Sequence, residues 1–287
     1  MTDTPTIGRT RSGGRAGRIQ TRAEHAGDAH APAFLRRQIP VYELLGEEGL
    51  ALIEANADRI LADVGVEIRG DEVALGLFRD AGATVDGARV RFDPGHVRAL
   101  CATAPSQFTQ LARNAARSVE IGGDAIVFAP AYGSPFVRDL PNGRRYASLE
   151  DFEAFVKLAY VTPWLHHSGG TVCEPVDVPV NKRHLDMVYA HLRYSDKAMM
   201  GSVTQPSRAE DSIEMARIAF GADVVERSCV ILGNVNDNSP LVWDAAMTGA
   251  LRAYAAANQA PVVVPFILGG AMGPVTLAGA IEERKLP

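Results

Sequence analysis

The chain reads as an α/β protein: a partial (β/α)8 TIM barrel preceded by an N-terminal α+β portion. Three observations carry this reading. Residues 229–232 and 262–267 are short apolar runs without alternation, as expected of parallel strands covered on both faces. Residues 242–257 between them have helical length, which makes a strand–helix–strand crossover. From Ser148 onward apolar stripes of helical period alternate with short apolar runs, whereas residues 39–147 mix helices with hairpins. Polar and Gly-rich residues follow each late strand, where such folds bind ligands.

The chain has 287 residues and a net charge of −5, which gives no general reason to expect nucleic acid as a partner. No apolar run approaches the roughly 18 residues of a membrane span, and no signal-type apolar segment follows the first arginines. Cys101, Cys173 and Cys229 are far apart, in apolar settings and without a CxxC pair. Neither a disulfide framework nor a metal site is suggested, structural burial is expected, and the compartment reads as reducing and cytoplasmic.

Residues 1–38 are rich in Arg, Gly, Ala and Thr and read as a disordered basic tail. Leu50, Ile53, Ile60, Leu61 and Val64 then share a helix face that Gly65 stops. Asp71 caps a second helix, and Asp86-Gly87 turns a small hairpin. Asp93-Pro94 opens a short helix whose inner face is Val97, Leu100 and Cys101. Short strands follow at 108–111, 118–121 and 125–128, with a turn at 141–143.

The second portion, 148–287, starts with Ser148 and Asp151 as a capping box. A strand near 164–167 comes next. Asn181 caps a helix faced by Leu185, Val188, Tyr189 and Leu192. A strand at 198–203 and a helix capped by Ser207 and Glu210 follow, then the crossover described first. Four such strands are half of what a closed eight-stranded barrel needs.

Several residues stand where chemistry would be done. Asn234, Asn236, Asp237 and Asn238 follow the strand at 229–232 and can orient a polar or cationic ligand, though Asn and Asp also stabilise loops. Of His166 and His167 only one can face a barrel interior, and neither has metal-ligand spacing; His167 is the candidate for hydrogen bonding or proton transfer. Gln205 follows the strand at 198–203. Tyr132 and Phe266 offer aromatic faces to an ammonium group. The Gly-rich run holding Gly269, Gly270 and Gly273 precedes a helix and suits either close backbone packing or a bound anion.

Residues 42–281 resemble the N-terminal half of the trimethylamine methyltransferase family. The resemblance rests on Ile60-Leu61-Ala62-Asp63-Val64-Gly65-Val66, Pro130-Ala131-Tyr132-Gly133-Ser134-Pro135, Ser195-Asp196-Lys197, Asn238-Ser239-Pro240-Leu241 and, above all, Gly269-Gly270-Ala271-Met272-Gly273-Pro274-Val275-Thr276. It implies a barrel enzyme that passes a methyl group from a methylated or quaternary amine to the cobalt of a corrinoid (cobalamin) on a separate protein. Tyr132, His167, Gln205, Asn234, Asn236 and Phe266 would then line the substrate side, with Gly269, Gly270 and Gly273 close to the corrin. Catalytic residues are not assigned and no metal site is expected. The family runs beyond Ile281, so the expectation is a truncated or split member that pairs with a complementary C-terminal half or with its own copies. The alternatives are a non-catalytic interaction module and a self-sufficient hydrolase or lyase that uses His167.

Overall fold

In the computed structural model, which describes residues 31–237, 241–265, 267–271 and 273–284, the chain begins its regular structure with β1 (Leu35–Arg36). There follow α1 (Glu47–Asp63), β2 (Val66–Arg69), α2 (Glu72–Asp80), the hairpin β3 (Thr84–Asp86) and β4 (Arg89–Arg91), and α3 (His96–Cys101). Next are β5 (Gln107–Gln110), β6 (Val119–Gly122), β7 (Ala125–Ile126), the hairpin β8 (Phe136–Asp139) and β9 (Gly143–Tyr146), and α4 (Leu149–Val161). The last stretch holds α5 (Arg183–Tyr194), β10 (Met199–Gly201), α6 (Pro206–Phe220), α7 (Ala222–Arg227), β11 (Ile231–Asp237), β12 (Val242–Asp244), α8 (Ala245–Ala256), β13 (Ala260–Pro265) and α9 (Leu277–Arg284).

Local chemistry explains the helix ends. Asp71 accepts from Ala74 N at 3.0 Å and opens α2. Ser148 and Asp151 close a capping box on α4, and the Asp151 carboxylate also takes Arg145 Nη2 at 2.7 Å. Gly65, at φ +71°, ends α1, and its N–H returns to Ile60 O. Other ends differ from the sequence reading. Pro206 takes the first position of α6, so Gln205 is the N-cap and the Ser207–Glu210 box does not form. α5 starts at Arg183 behind Lys182, not at Asn181. Gly95, at φ +80°, delays α3 past Asp93-Pro94, and that helix buries none of its residues, Cys101 included. On α1 the buried face is Ile53, Ala57 and Leu61, with Leu50 and Val64 exposed.

The functional frame is a three-stranded parallel sheet in the order β10–β11–β13. A fourth pass lies beside β10: His167 bridges Ala198 in parallel, Ser168 N donates to Ala198 O, and Met200 N donates to Gly169 O, both at 2.8 Å. This pass is the segment expected near 164–167. Helices α6 and α8 pack on one face of the sheet. There Ala209, Ile213, Ala250 and Tyr254 form a core with Met199 and Ile231. Among the described residues the sheets are several and small, and no closed barrel forms.

Three expectations are corrected here. Residues 234–237 are strand rather than loop, because β11 pairs with β13 along its length from Leu232↔Ala260 to Asp237↔Pro265; ladder pairing outweighs the poor strand propensity of Asn. Residues 242–244 are a strand, parallel to β2, and the helix starts only where Asp244 caps Ala246 N and Met247 N. β13 is not covered on both faces: Val262, Val263 and Val264 are 36–38% exposed on the outer strand of the sheet.

Contacts cross the boundary at residue 147. β12 joins the sheet β12–β2–β4–β3, and Arg252 and Thr248 of α8 hold the buried Asp71 carboxylate. Desolvation raises the pKa of that carboxyl, but these donors outweigh it and hold it below its usual range. At the other end, residues 1–30 lie outside the described residues. The segment expected to be unstructured to Gln38 includes β1, which pairs with β7, and Arg36 binds Asp124 at 2.7 Å. No described helix is long and apolar enough to cross a membrane.

Lys197 fastens the end of α4. Its buried ammonium donates to Ala159 O, Thr162 O and Leu165 O at 2.7, 3.1 and 2.6 Å. Desolvation, aided by Arg117, lowers its pKa to about 8. Lys197→Met leaves three carbonyls without their donor. We expect a loss of about 1–3 kcal/mol, read as a lower urea midpoint; an unchanged midpoint would show that water replaces the ammonium at no cost.

Candidate functional site

Side chains alternate along a strand, so the register sorts the sheet into two faces. Gly201, Gly233, Val235 and Val263 face the helices: a Cβ on Gly233 would lie 2.6 Å from Tyr254 Cδ2, and Val263 lines the same cavity as Leu251 and Arg252 of α8. The other face carries Met200, Leu232, Asn234, Asn236, Val262 and Val264.

The amino end of this second face is plugged. Gln110, fully buried at the end of β5, donates from Nε2 to Met199 O at 2.8 Å and to Val230 O at 3.3 Å. Its Oε1 faces His167 Nε2 at 3.2 Å, and Gly169 N–H donates to His167 Nδ1 at 2.9 Å. Nδ1 is therefore the acceptor and Nε2–H the donor. Desolvation, with His191 nearby, pushes His167 down to about 3. His167 is thus a neutral packing residue at the closed end, with both nitrogens engaged. A substrate contact at His167 would have to displace Gln110 Oε1 or the Gly169 N–H.

The carboxyl end is different. Leu232 is buried, Asn234 half-buried and Asn236 exposed, so the face opens as the strand advances. Asn234 Oδ1 is itself buried, with no hydrogen-bond partner among the described residues. An orphaned buried amide oxygen costs free energy unless something donates to it. Tyr132 and Met200 stand at the same face: a Cβ on Gly170 would come within 2.9 Å of Tyr132 Cε2 and 3.0 Å of Met200 Cβ. An aromatic ring, a thioether and two carboxamides therefore line one open end of a parallel sheet.

The other expected residues divide. Gln205 is exposed at the N-cap of α6, beyond the end of β10. Phe266, Asn238 and Met272 lie outside the described residues. The Gly-rich loop closes on itself through a Gly269↔Gly273 bridge and Gly270 N–H to Gly273 O. Gly269 and Gly270 are exposed, and a Cβ there would make ordinary van der Waals contact, with Pro274 O at 3.8 Å and Val275 Cγ1 at 3.9 Å. At Gly273 a Cβ would meet Glu283 and Ile267 at 2.7 and 2.8 Å, so its smallness also serves packing within the chain. Thr276 Oγ1 accepts from Gly279 N at 3.1 Å at the start of α9, which supplies that turn with its own cap.

Sequence reasoning missed Met200 and Gln110. Met200 carried no signal, because one Met in an apolar run is ordinary core. Gln110 becomes a plug only through contacts with residues 89 and 120 positions away.

An α/β chain with a parallel sheet, plugged at its amino end and polar at its open carboxyl end, has the layout of a small-ligand α/β enzyme. The chain belongs to the trimethylamine methyltransferase family, whose profile matches residues 11–284. It is 43% identical over 248 residues to the glycine betaine methyltransferase of Desulfitobacterium hafniense (strain Y51), a match covering 86% of this chain and 52% of that protein. It is 24% identical over 242 residues to the proline betaine:corrinoid methyltransferase of Eubacterium limosum, covering 79% and 48%. The chain thus spans about half the length of the curated relatives it matches.

Proposed function

We propose that this chain carries the substrate-facing part of a cytoplasmic methyltransferase that takes a methyl group from a betaine-type quaternary amine and delivers it to a corrinoid on a separate protein. Both named relatives act on betaines, and one is named for its corrinoid. The sheet and its helices are read as the first strands of a (β/α)8 barrel, completed by the half that the relatives carry outside the match.

The observation that carries this reading is the buried Oδ1 of Asn234, without a hydrogen-bond partner among the described residues, on the face that holds Tyr132 and Met200. A quaternary ammonium spreads its charge over its methyl hydrogens. An amide oxygen and an aromatic face both stabilise that charge without needing an N–H from the ligand. The exposed amide of Asn236 is placed to donate to the ligand's carboxylate.

A reduced corrinoid supplies the nucleophile that accepts the methyl group. The exposed backbone of Gly269 and Gly270 leaves room for a flat macrocycle to approach. The chain's own residues do the rest: they hold the ammonium, point one methyl outward, and exclude water through Met200 and Leu232. No proton transfer is required of them, in keeping with His167 being locked away.

The test is Asn234→Ala in the protein supplied with its completing half. With glycine betaine and a reduced corrinoid, kcat/KM is expected to fall about 10- to 100-fold, the loss of the attraction between the amide dipole and the ammonium charge at about 1.4 kcal/mol per tenfold, while the urea midpoint holds. Equal kcat/KM in the variant would remove Asn234 from the site.

A further inference from the structure

An apolar groove of about 480 Å³ between α2, α3 and α8 has Leu77, Leu100, Cys101 and Val263 in its walls. Its polar wall residues, Thr248 and Arg252, both bind Asp71, so nothing among the described residues there selects a ligand. A much smaller cavity, of about 20 Å³, is different. Gly170, Thr171, Met200 and Ser202 wall it from the strand ends, and His184 and His191 wall it from α5. It lies directly behind the candidate site, because Gly170 is the residue whose Cβ would touch both Tyr132 and Met200. His191 is spent, with Nε2 on Gly170 O and Nδ1 on Ser168 Oγ. His184 is not. It is 7% exposed, and its Nε2 lies 2.7 Å from Asp211 Oδ2 on α6. Its Nδ1 is buried without a hydrogen-bond partner among the described residues. A carboxylate only accepts, so Nε2 carries a proton. Nδ1 is then an acceptor in the neutral ring and a donor in the charged one, and burial makes either form costly without a partner.

We propose that this cavity is the site of one ordered water, and that through it His184 positions the two strand ends that carry the Tyr132 ring and Met200. A water needs roughly 10–15 Å³ of such space and two to four polar partners. His184 Nδ1 and the hydroxyls of Thr171 and Ser202 supply them. Water suits both forms of the ring, since it donates and accepts, whereas an ammonium ion only donates and serves the neutral ring alone. The bridge holds more than itself. Thr171 O accepts from Gly133 N at 2.6 Å, next to Tyr132. Ser202 stands two residues past Met200, and its carbonyl accepts from the Tyr254 hydroxyl at 3.0 Å. Joined by one water, Thr171 and Ser202 keep the aromatic ring and the thioether at a fixed spacing across the open end. The consequence for betaine binding rests on the functional reading above; the water site does not.

Two variants separate the two edges of the ring. In His184→Asn the amide oxygen hangs from Cγ as Nδ1 does, so the cavity keeps an acceptor and the Asp211 contact is lost. In His184→Gln the amide nitrogen reaches the place of Nε2, so Asp211 keeps its partner and a methylene replaces Nδ1. Crystals of the chain grown without ammonium salts are expected to show one water about 2.7–3.2 Å from His184 Nδ1. It should persist in His184→Asn, and in His184→Gln it should be gone and the Tyr132 ring displaced. Calorimetric titration with glycine betaine, in the chain supplied with its completing half, reads the consequence. His184→Gln should raise Kd about three- to tenfold, the worth of one hydrogen bond, and His184→Asn by less than about twofold. A dry cavity in the parent chain would overturn the water site, as would density that appears only with ammonium salts, an adventitious ion only. An unmoved Tyr132 in His184→Gln, or a greater loss of affinity in His184→Asn than in His184→Gln, would overturn the positioning role and leave His184 as a partner of Asp211. A parent that holds the water but binds no betaine would count against the functional reading and leave the water site standing.

Discussion

Lowering the pH from 7 to 4 is expected to remove about 6 kcal/mol of stability through two histidines. Desolvation holds His167 near 3 and His191 near 4, against an ordinary value of 6.5. Both are fixed as neutral tautomers. His191 Nε2 sits 2.8 Å from Gly170 O, which can only accept, so Nδ1 accepts from Ser168 Oγ at 2.7 Å. Below pH 6.5 the unfolded chain binds protons at both residues that the folded chain refuses until about pH 4 and pH 3. Stability must therefore fall as pH falls, by up to about 3 kcal/mol per pH unit while both are mismatched. Domains are stable by only about 5–15 kcal/mol, so this alone brings the fold close to unfolding. The Asp151 carboxyl, held low mainly by its bond to Arg145 and also by Ser148, adds its own loss in the same direction at still lower pH, below the ordinary carboxylate range. Urea midpoints at pH 7.5, 5.5 and 4.5 read the slope. His191→Gln should shallow it by about one proton, whatever it does to stability at pH 7.5. A flat profile in the parent chain, or the same slope in the variant, would contradict the buried neutral assignment.

These histidines show where sequence reading stops. The capping box at Ser148–Asp151, the cap at Asp71 and the stop at Gly65 were legible because each is settled within three or four residues. So was the parallel order of the late strands, because buried apolar runs and helical stripes are local patterns. The polar carboxyl end of β11 was legible in part: Asn234 and Asn236 were singled out, but as a loop. Their strand exists because β13 hydrogen-bonds them in register, information held about 28 residues away. His167 looked available for chemistry because its sequence neighbours say nothing of Gln110, which arrives from β5 to occupy it. Cys101 looked buried because a stripe of Val97, Leu100 and Cys101 implies an inner face, and the face it makes is the wall of an open groove.

Adding a methyl group at Gly233 is expected to be among the most damaging small changes in the chain. Gly201 and Gly233 stand side by side on β10 and β11 and form a notch for the Tyr254 ring of α8. A Cβ at Gly233 would lie 2.6, 2.7 and 3.0 Å from three ring carbons; one at Gly201 would lie 2.4 Å from the hydroxyl oxygen. The ring cannot retreat: Tyr254 is fully buried, and its hydroxyl donates to Ser202 O at 3.0 Å. Overpacking of this kind costs about 1–3 kcal/mol, and the rigid sheet puts Gly233→Ala at the upper end. Tyr254→Leu should cost about 2–4 kcal/mol by leaving space and an unpaired carbonyl. The two losses share one cause, so the double variant Gly233→Ala, Tyr254→Leu should be less destabilised than their sum by about 1–2 kcal/mol. Urea denaturation of the four proteins closes the cycle. Strict additivity would mean that the notch does not hold the ring, and that α8 is fixed to the sheet by its neighbours instead.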